Sequence, residues 1–146
     1  MFVALLIASL LAGCGGEGKF MNERSLDARV RCEGVYVDVV PEIINEKEFH
    51  HYLRFYADSH AIPATNSASP EAMQAWLTRE SEKYPPAVTK VNGDSLSFTT
   101  KHWGGTIDYE FAIMEGKLQG TVSSNITGRK AERTYVFVPW ESDDGE

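Results

Sequence analysis

Across residues 87–140 apolar and polar side chains alternate with a period of two, and no other feature restricts the fold as strongly. That period puts successive side chains on opposite faces of an extended strand, so this part of the chain reads as an antiparallel meander with one buried face. Turn residues divide it. Residues 87–91 meet 96–100 across Asn92-Gly93, a dipeptide that tolerates positive φ and suits a type I′ hairpin. His102-Trp103-Gly104-Gly105 marks a second turn, after which Ile107, Tyr109, Phe111 and Ile113 alternate with Asp108, Glu110, Ala112 and Met114. A two-residue turn at Glu115-Gly116 pairs Ile113 with Leu118, Phe111 with Gly120 and Tyr109 with Val122, with Gly120 leaving room for the Phe111 ring. A bulged turn there would slip the register. The final strand, residues 133–138, follows a polar loop over residues 125–131.

The first half of the chain reads differently. Residues 29–40 alternate, with Val35, Val37 and Val39 on one side and Cys32, Gly34, Tyr36 and Asp38 on the other, and Pro41 ends this strand. Asn45 and Glu48 have capping-box spacing, and Phe49, Tyr52, Leu53, Tyr56, Ala57 and His60 fall on one face of a helix that ends at Ile62-Pro63. Residues 64–68 are a polar loop. Ser69 as N-cap and Pro70 open a second helix with Met73, Trp76 and Leu77 as its apolar stripe, closed by Tyr84-Pro85-Pro86. The expected fold is α+β: a strand, two helices, then a meander of about five strands in a curved sheet with the helices on one face. This order resembles that of the fatty-acid-binding proteins among the calycin barrels. The resemblance is one of topology, and too few strands follow the helices to close a ten-stranded barrel.

Residues 2–12 are uncharged and as long as a secretory signal core, too short for a stable transmembrane span, although no Lys or Arg precedes them. Leu11-Ala12-Gly13-Cys14 resembles the lipobox of bacterial lipoproteins. The resemblance implies a signal peptide over residues 1–13, lipid attached to Cys14 as a thioether, and a membrane partner reached through fatty chains. It also implies a place in the bacterial cell envelope, at the outer membrane facing the periplasm if the source is a diderm. Residues 14–27 then read as a flexible linker, 28–140 as a single domain and 141–146 as an acidic tail. Cys32 is the one other cysteine, and its place in a strand favours burial as a small hydrophobe over pairing with another chain.

Charge narrows the partners: 14 basic against 21 acidic residues give a net charge of −7, which argues against a nucleic-acid partner. His50, His51 and His60 contain no i,i+4 pair of the kind a helical zinc site uses, so no metal and no cofactor is expected. Asp108 and Glu110 share a strand face about 7 Å apart, the separation of some glycosidase pairs, but they sit among polar residues and read as a solvated face. There is no nucleophile elbow, P-loop or His-Glu-x-x-His motif. The Asn125-Ile126-Thr127 sequon has no expected use in a bacterial envelope, and Trp103 and Trp140 fall at strand ends. The sequence therefore points to a non-enzymatic binding or protein-interaction module with a possible envelope protein partner. The alternative is a carrier of a small apolar ligand held between the helix pair and the sheet, lined by Tyr52, Tyr56, Trp76, Tyr109 and Phe111.

Overall fold

Ten antiparallel strands and one short helix make up the computed structural model, which describes residues 25–78 and 86–140. The signal segment, Cys14, most of the linker, the C-terminal part of the expected second helix and the acidic tail lie outside the described residues. The strands are β1 (Gly34–Asp38), β2 (Glu42–Ile44), β3 (Lys47–Phe55), β4 (His60–Asn66), β5 (Ala87–Val88), β6 (Lys90–Asn92), β7 (Ser95–His102), β8 (Gly105–Met114), β9 (Lys117–Ser124) and β10 (Lys130–Pro139). Helix α1 (Pro70–Trp76) lies between β4 and β5.

The sheet runs in the order β5-β4-β3-β1-β10-β9-β8-β7-β6, with β2 paired to the outer end of β3. Its two ends, β5 and β6, are consecutive in the chain and separated only by Thr89. The sheet therefore curls back on itself into a nearly closed antiparallel barrel. Thr89 helps to close the seam: its N–H donates to the Ser59 carbonyl at 2.8 Å, and its hydroxyl lies 2.8 Å from that of Ser59. Closure matters because an unpaired sheet edge exposes backbone donors and acceptors to other chains.

The expected α+β fold is corrected by this barrel. Residues read as the first helix form β3 and β4, and Asn45 and Glu46 adopt φ of 54° and 68° in the two-residue turn between Ile44 and Lys47. The Asn45–Glu48 spacing thus belongs to a hairpin, not a capping box. The cause of the misreading is that β3 is covered on both faces. Leu53 and Phe55 point into the barrel, while Tyr52 points outward under α1, so the period of two that marks a half-exposed strand is lost.

Other expectations hold in part. Ser69 caps α1, its side chain accepting from the Ala72 N–H, and Met73 and Leu77 are buried while Trp76 is half exposed, but the helix ends at Trp76 with Leu77 as its C-cap, short of the expected close at Tyr84-Pro85-Pro86. The β8–β9 register is the expected one, with Phe111 opposite Gly120 and Tyr109 opposite Val122. The hairpin turn before β7 sits one residue later than expected, at Gly93-Asp94, because Asn92 pairs with Ser95.

Two cores flank the barrel wall. Inside, aromatic rings follow one another in contact: Tyr36 on Phe55 at 5.5 Å, Phe55 on Phe98 at 6.4 Å, Phe98 stacked on Tyr109 at 4.5 Å, and Phe111 edge-on to Tyr135 at 5.4 Å. Burying each such side chain stabilises the fold by about 1.5–3 kcal/mol. The segment before β1 closes this end, with Val30 buried, the Leu26 N–H donating to the Ala57 carbonyl, and the Arg29 guanidinium on Asp94 Oδ1 at 2.7 Å. Outside, α1 covers Val35, Tyr52, Ile62 and Ala64. The Trp140 indole donates to the Pro70 carbonyl at 2.9 Å, and Arg54, lying between the Tyr56 and Trp140 rings, donates to the Leu77 carbonyl at 2.6 Å.

Cys32 is buried, as its strand-like surroundings suggested, but it is disulfide-bonded and not a lone thiol. The sequence has one other cysteine, Cys14, outside the described residues.

Candidate functional site

Along the inward faces of the strands the side chains change character from one end of the barrel to the other. On β7 the inward residues run Leu96, Phe98, Thr100, His102, and on β3 they run Phe55, Leu53, His51. Where apolar gives way to polar, the barrel stops being filled. A cavity of about 320 Å³ opens there, lined by His51, Pro63 and Thr65 on one side and by Thr100, His102 and Ile107 on the other, with Tyr52, Ala64, Tyr109 and Tyr135 completing it. That volume lies at the small end of the ~300–1,000 Å³ range of ligand pockets. The aromatic packing below it leaves the inner end closed.

His51 is held from both sides. Its Nε2 lies 3.0 Å from Glu42 Oε1 and its Nδ1 2.9 Å from the Thr65 hydroxyl. The carboxylate can only accept, so Nε2 carries the proton and Nδ1 accepts from Thr65 in a neutral ring. Burial is the main force holding the His51 pKa below its ordinary value, the positive charge of Arg133 adds to it, and Glu42 opposes both. Arg133 in turn bonds Asp38 Oδ2 at 2.7 Å, and the other Asp38 oxygen accepts from the Val40 N–H at 3.0 Å.

A pH dependence follows. Unfolded, His51 titrates near 6.5; folded, it titrates lower, so above pH 6.5 both states are neutral and the group has no effect on stability. As pH falls below 6.5 the unfolded chain takes the proton first, and stability declines until the folded pKa is reached. Urea titrations of the wild type and of His51→Gln between pH 7.5 and 5 should show this extra decline only in the wild type. Parallel curves would exclude it. Glu42, Asp38 and Arg133 are the charged groups that act on the ring.

Two phenols form the inner part of the cavity. Burial pushes Tyr109 up to about 12, with the nearby Thr100 hydroxyl acting the other way, and burial pushes Tyr135 higher still. Both are therefore protonated donors at neutral pH. The Thr100 hydroxyl also lies 2.8 Å from His102 Nε2. The rim of this end carries exposed apolar side chains: Val39, Val40, Ile43 and Ile44 beside Glu42, and Trp103, fully exposed, with Ile126 beside His102.

Of the carrier residues the sequence singled out, Tyr109 lines the cavity, while Tyr52 borders it with its ring turned outward under α1. Phe111 is in the closed core, Tyr56 donates to the Leu77 carbonyl beneath α1, and Trp76 is on the surface. The expected cavity between helix and sheet is thus corrected: α1 packs on the outside of the barrel, and Met73 and Leu77 fill that interface. His50 lies 3.9 Å from Glu48 and His60 lies 3.1 Å from Asp58, apart from His51. Among the described residues no three potential ligands gather as a metal group. Asp108 accepts from the Thr99 hydroxyl at 2.8 Å, and it and Glu110 are exposed on the barrel exterior. Asn125 donates to the Thr106 hydroxyl at 2.6 Å, and Trp140 is packed against the outer core.

Sequence reading missed His51, Thr65, Thr100, His102, Ile107 and Tyr135. The signal for Thr100 and His102 was present, since they continue at spacing two the face begun by Leu96 and Phe98. No protein-family model matches the chain, and neither a curated protein nor a solved structure matches it significantly.

Proposed function

We propose that this chain is a non-enzymatic binding module of the bacterial envelope that holds a small molecule in the polar end of its barrel. The carrying observation is the 320 Å³ cavity, open at one end and floored by packed aromatic rings. That floor favours a compact ligand over an extended acyl chain. The barrel supports the carrier reading in its general form, with the ligand inside the barrel instead of beneath the helix. A fragment screen read by amide chemical shifts tests it: hits should move Thr100, Ile107, Tyr109 and Tyr135 together, and a screen in which no compound moves them would sink the proposal.

The location rests on the lipobox resemblance, with Cys14 lipidated after removal of residues 1–13. A sulfur in a thioether cannot also enter a disulfide, so lipidation of Cys14 predicts a reduced Cys32 in the mature protein or its pairing with another chain. Mass spectrometry of the protein isolated from host membranes checks both sulfurs at once. A mature N-terminus at Cys14 carrying fatty chains supports the anchor; an intact Met1, or two sulfurs of one chain joined to each other, overturns it. In either case the cavity and its screen stand apart from the anchor.

A further inference from the structure

We infer that the cavity selects an uncharged, single-ring molecule presenting a carbonyl-type acceptor, received by the Tyr135 hydroxyl. The inference rests on the binding function proposed above and names its ligand class. Three observations lead to it.

The first is an unused donor. Tyr135 is only 2% exposed and lines the cavity, yet its hydroxyl makes no hydrogen bond among the described residues. Its surroundings place it toward the polar end, since Tyr109, Arg133 and Asp38 are the groups whose charge it feels. The hydroxyl is not among the fully buried polar atoms that lack a partner, so it opens onto the cavity, where a ligand acceptor can take the place of water. Because burial keeps the phenol protonated, it meets the ligand as a donor.

The second is charge. Among the described residues no Lys, Arg, Asp or Glu lines the cavity. The charged groups that act on His51 and Tyr135 are bonded to one another or to a neutral partner: Arg133 to Asp38 at 2.7 Å, and Glu42 to the neutral His51 ring at 3.0 Å. Among the described residues an anion would find no free cation in the cavity lining and a cation no free carboxylate, so either would lose water without compensation.

The third is shape. Ile107 and Pro63 give the cavity apolar walls, the Tyr109 ring is fixed by stacking on Phe98 at 4.5 Å, and 320 Å³ admits one ring with a short substituent.

Benzamide, benzoate and benzylammonium share one ring and differ in charge, so titrating each into the isotope-labelled full chain separates the possibilities. Benzamide should shift the amides of Thr100, Ile107, Tyr109 and Tyr135 saturably, with the two charged probes at least about tenfold weaker. Tyr135→Phe removes only the unpaired hydroxyl and leaves the packing, and it should weaken benzamide by roughly 3- to 10-fold. A charged probe that binds as tightly as benzamide, or a Tyr135→Phe protein that binds benzamide unchanged, overturns the ligand class while the binding function stands. The class also falls if all three probes fail but other fragments move the same amides. Silence from both sets removes the binding function itself.

Discussion

Gly120→Ala should destabilise the barrel more than any other single substitution considered for its strands. A Cβ built on Gly120 falls 1.9 Å from the Glu110 carbonyl oxygen and 2.7 Å from the Phe111 Cα, both backbone atoms of the neighbouring strand. No rotamer change relieves a backbone clash, so β8 and β9 would have to part in the middle of their ladder. The expected loss is about 4 kcal/mol or more, beyond the range of ordinary substitutions. In a domain of this size that lowers the melting temperature by on the order of 15 °C. Gly116→Ala is the control: its φ of +73° strains an L-residue, but nothing lies within 4 Å, so about 1–2 kcal/mol is expected. Thermal melts of the two variants decide it, and a Gly120→Ala protein as stable as Gly116→Ala would contradict the close approach. The need for glycine was legible in the sequence, but the reason assigned was the Phe111 ring; the structure locates it in the backbone.

Asp38→Ala should have the second large effect. The Asp38 side chain is 2% exposed and that of Arg133 22%, so truncating the acid strands a mostly buried guanidinium and leaves the Val40 N–H without its acceptor. Breaking such a pair from one side costs about 3 kcal/mol, somewhat below the fully buried case because Arg133 reaches water. Removing both partners should recover part of the loss, and a double-mutant cycle in urea should give a coupling of about 1.5 kcal/mol or more. Arg133→Ala carries a further readout. Because Arg133 helps to hold the His51 pKa down, that pKa should rise in the variant when followed by the imidazole carbon-bound proton shifts. Additive losses would show that the ion pair contributes little, and an unmoved His51 would separate the pair from the cavity.

How much of the site was visible beforehand depends on what each face of a strand meets. On β8 and β9 one face is buried and the other wet, and there the period of two predicted pairing residue by residue, including Tyr109 opposite Val122 in the cavity wall. On β3 the outer face lies under α1 and the inner face enters the barrel, so Tyr52, Leu53 and Phe55 are all buried and the alternation vanishes. Tyrosine and phenylalanine at positions that also fit a helical repeat then imitate one. Trp140 and Trp103 both stand at strand ends in the sequence, yet one indole packs against the outer core beneath α1 and the other projects into solvent.

The sequence by itself determined the Glu115-Gly116 turn, the helix cap at Ser69 and the β8–β9 register, because each depends on residues near one another in the chain. Only the tertiary structure decided that the sheet closes, since closure requires β1 to pair with β10, about a hundred residues later. The cavity is decided with it. His51, Thr100 and Tyr135 belong to three strands brought together by that closure, and a ring of contacts between distant segments leaves no periodic trace in any one of them.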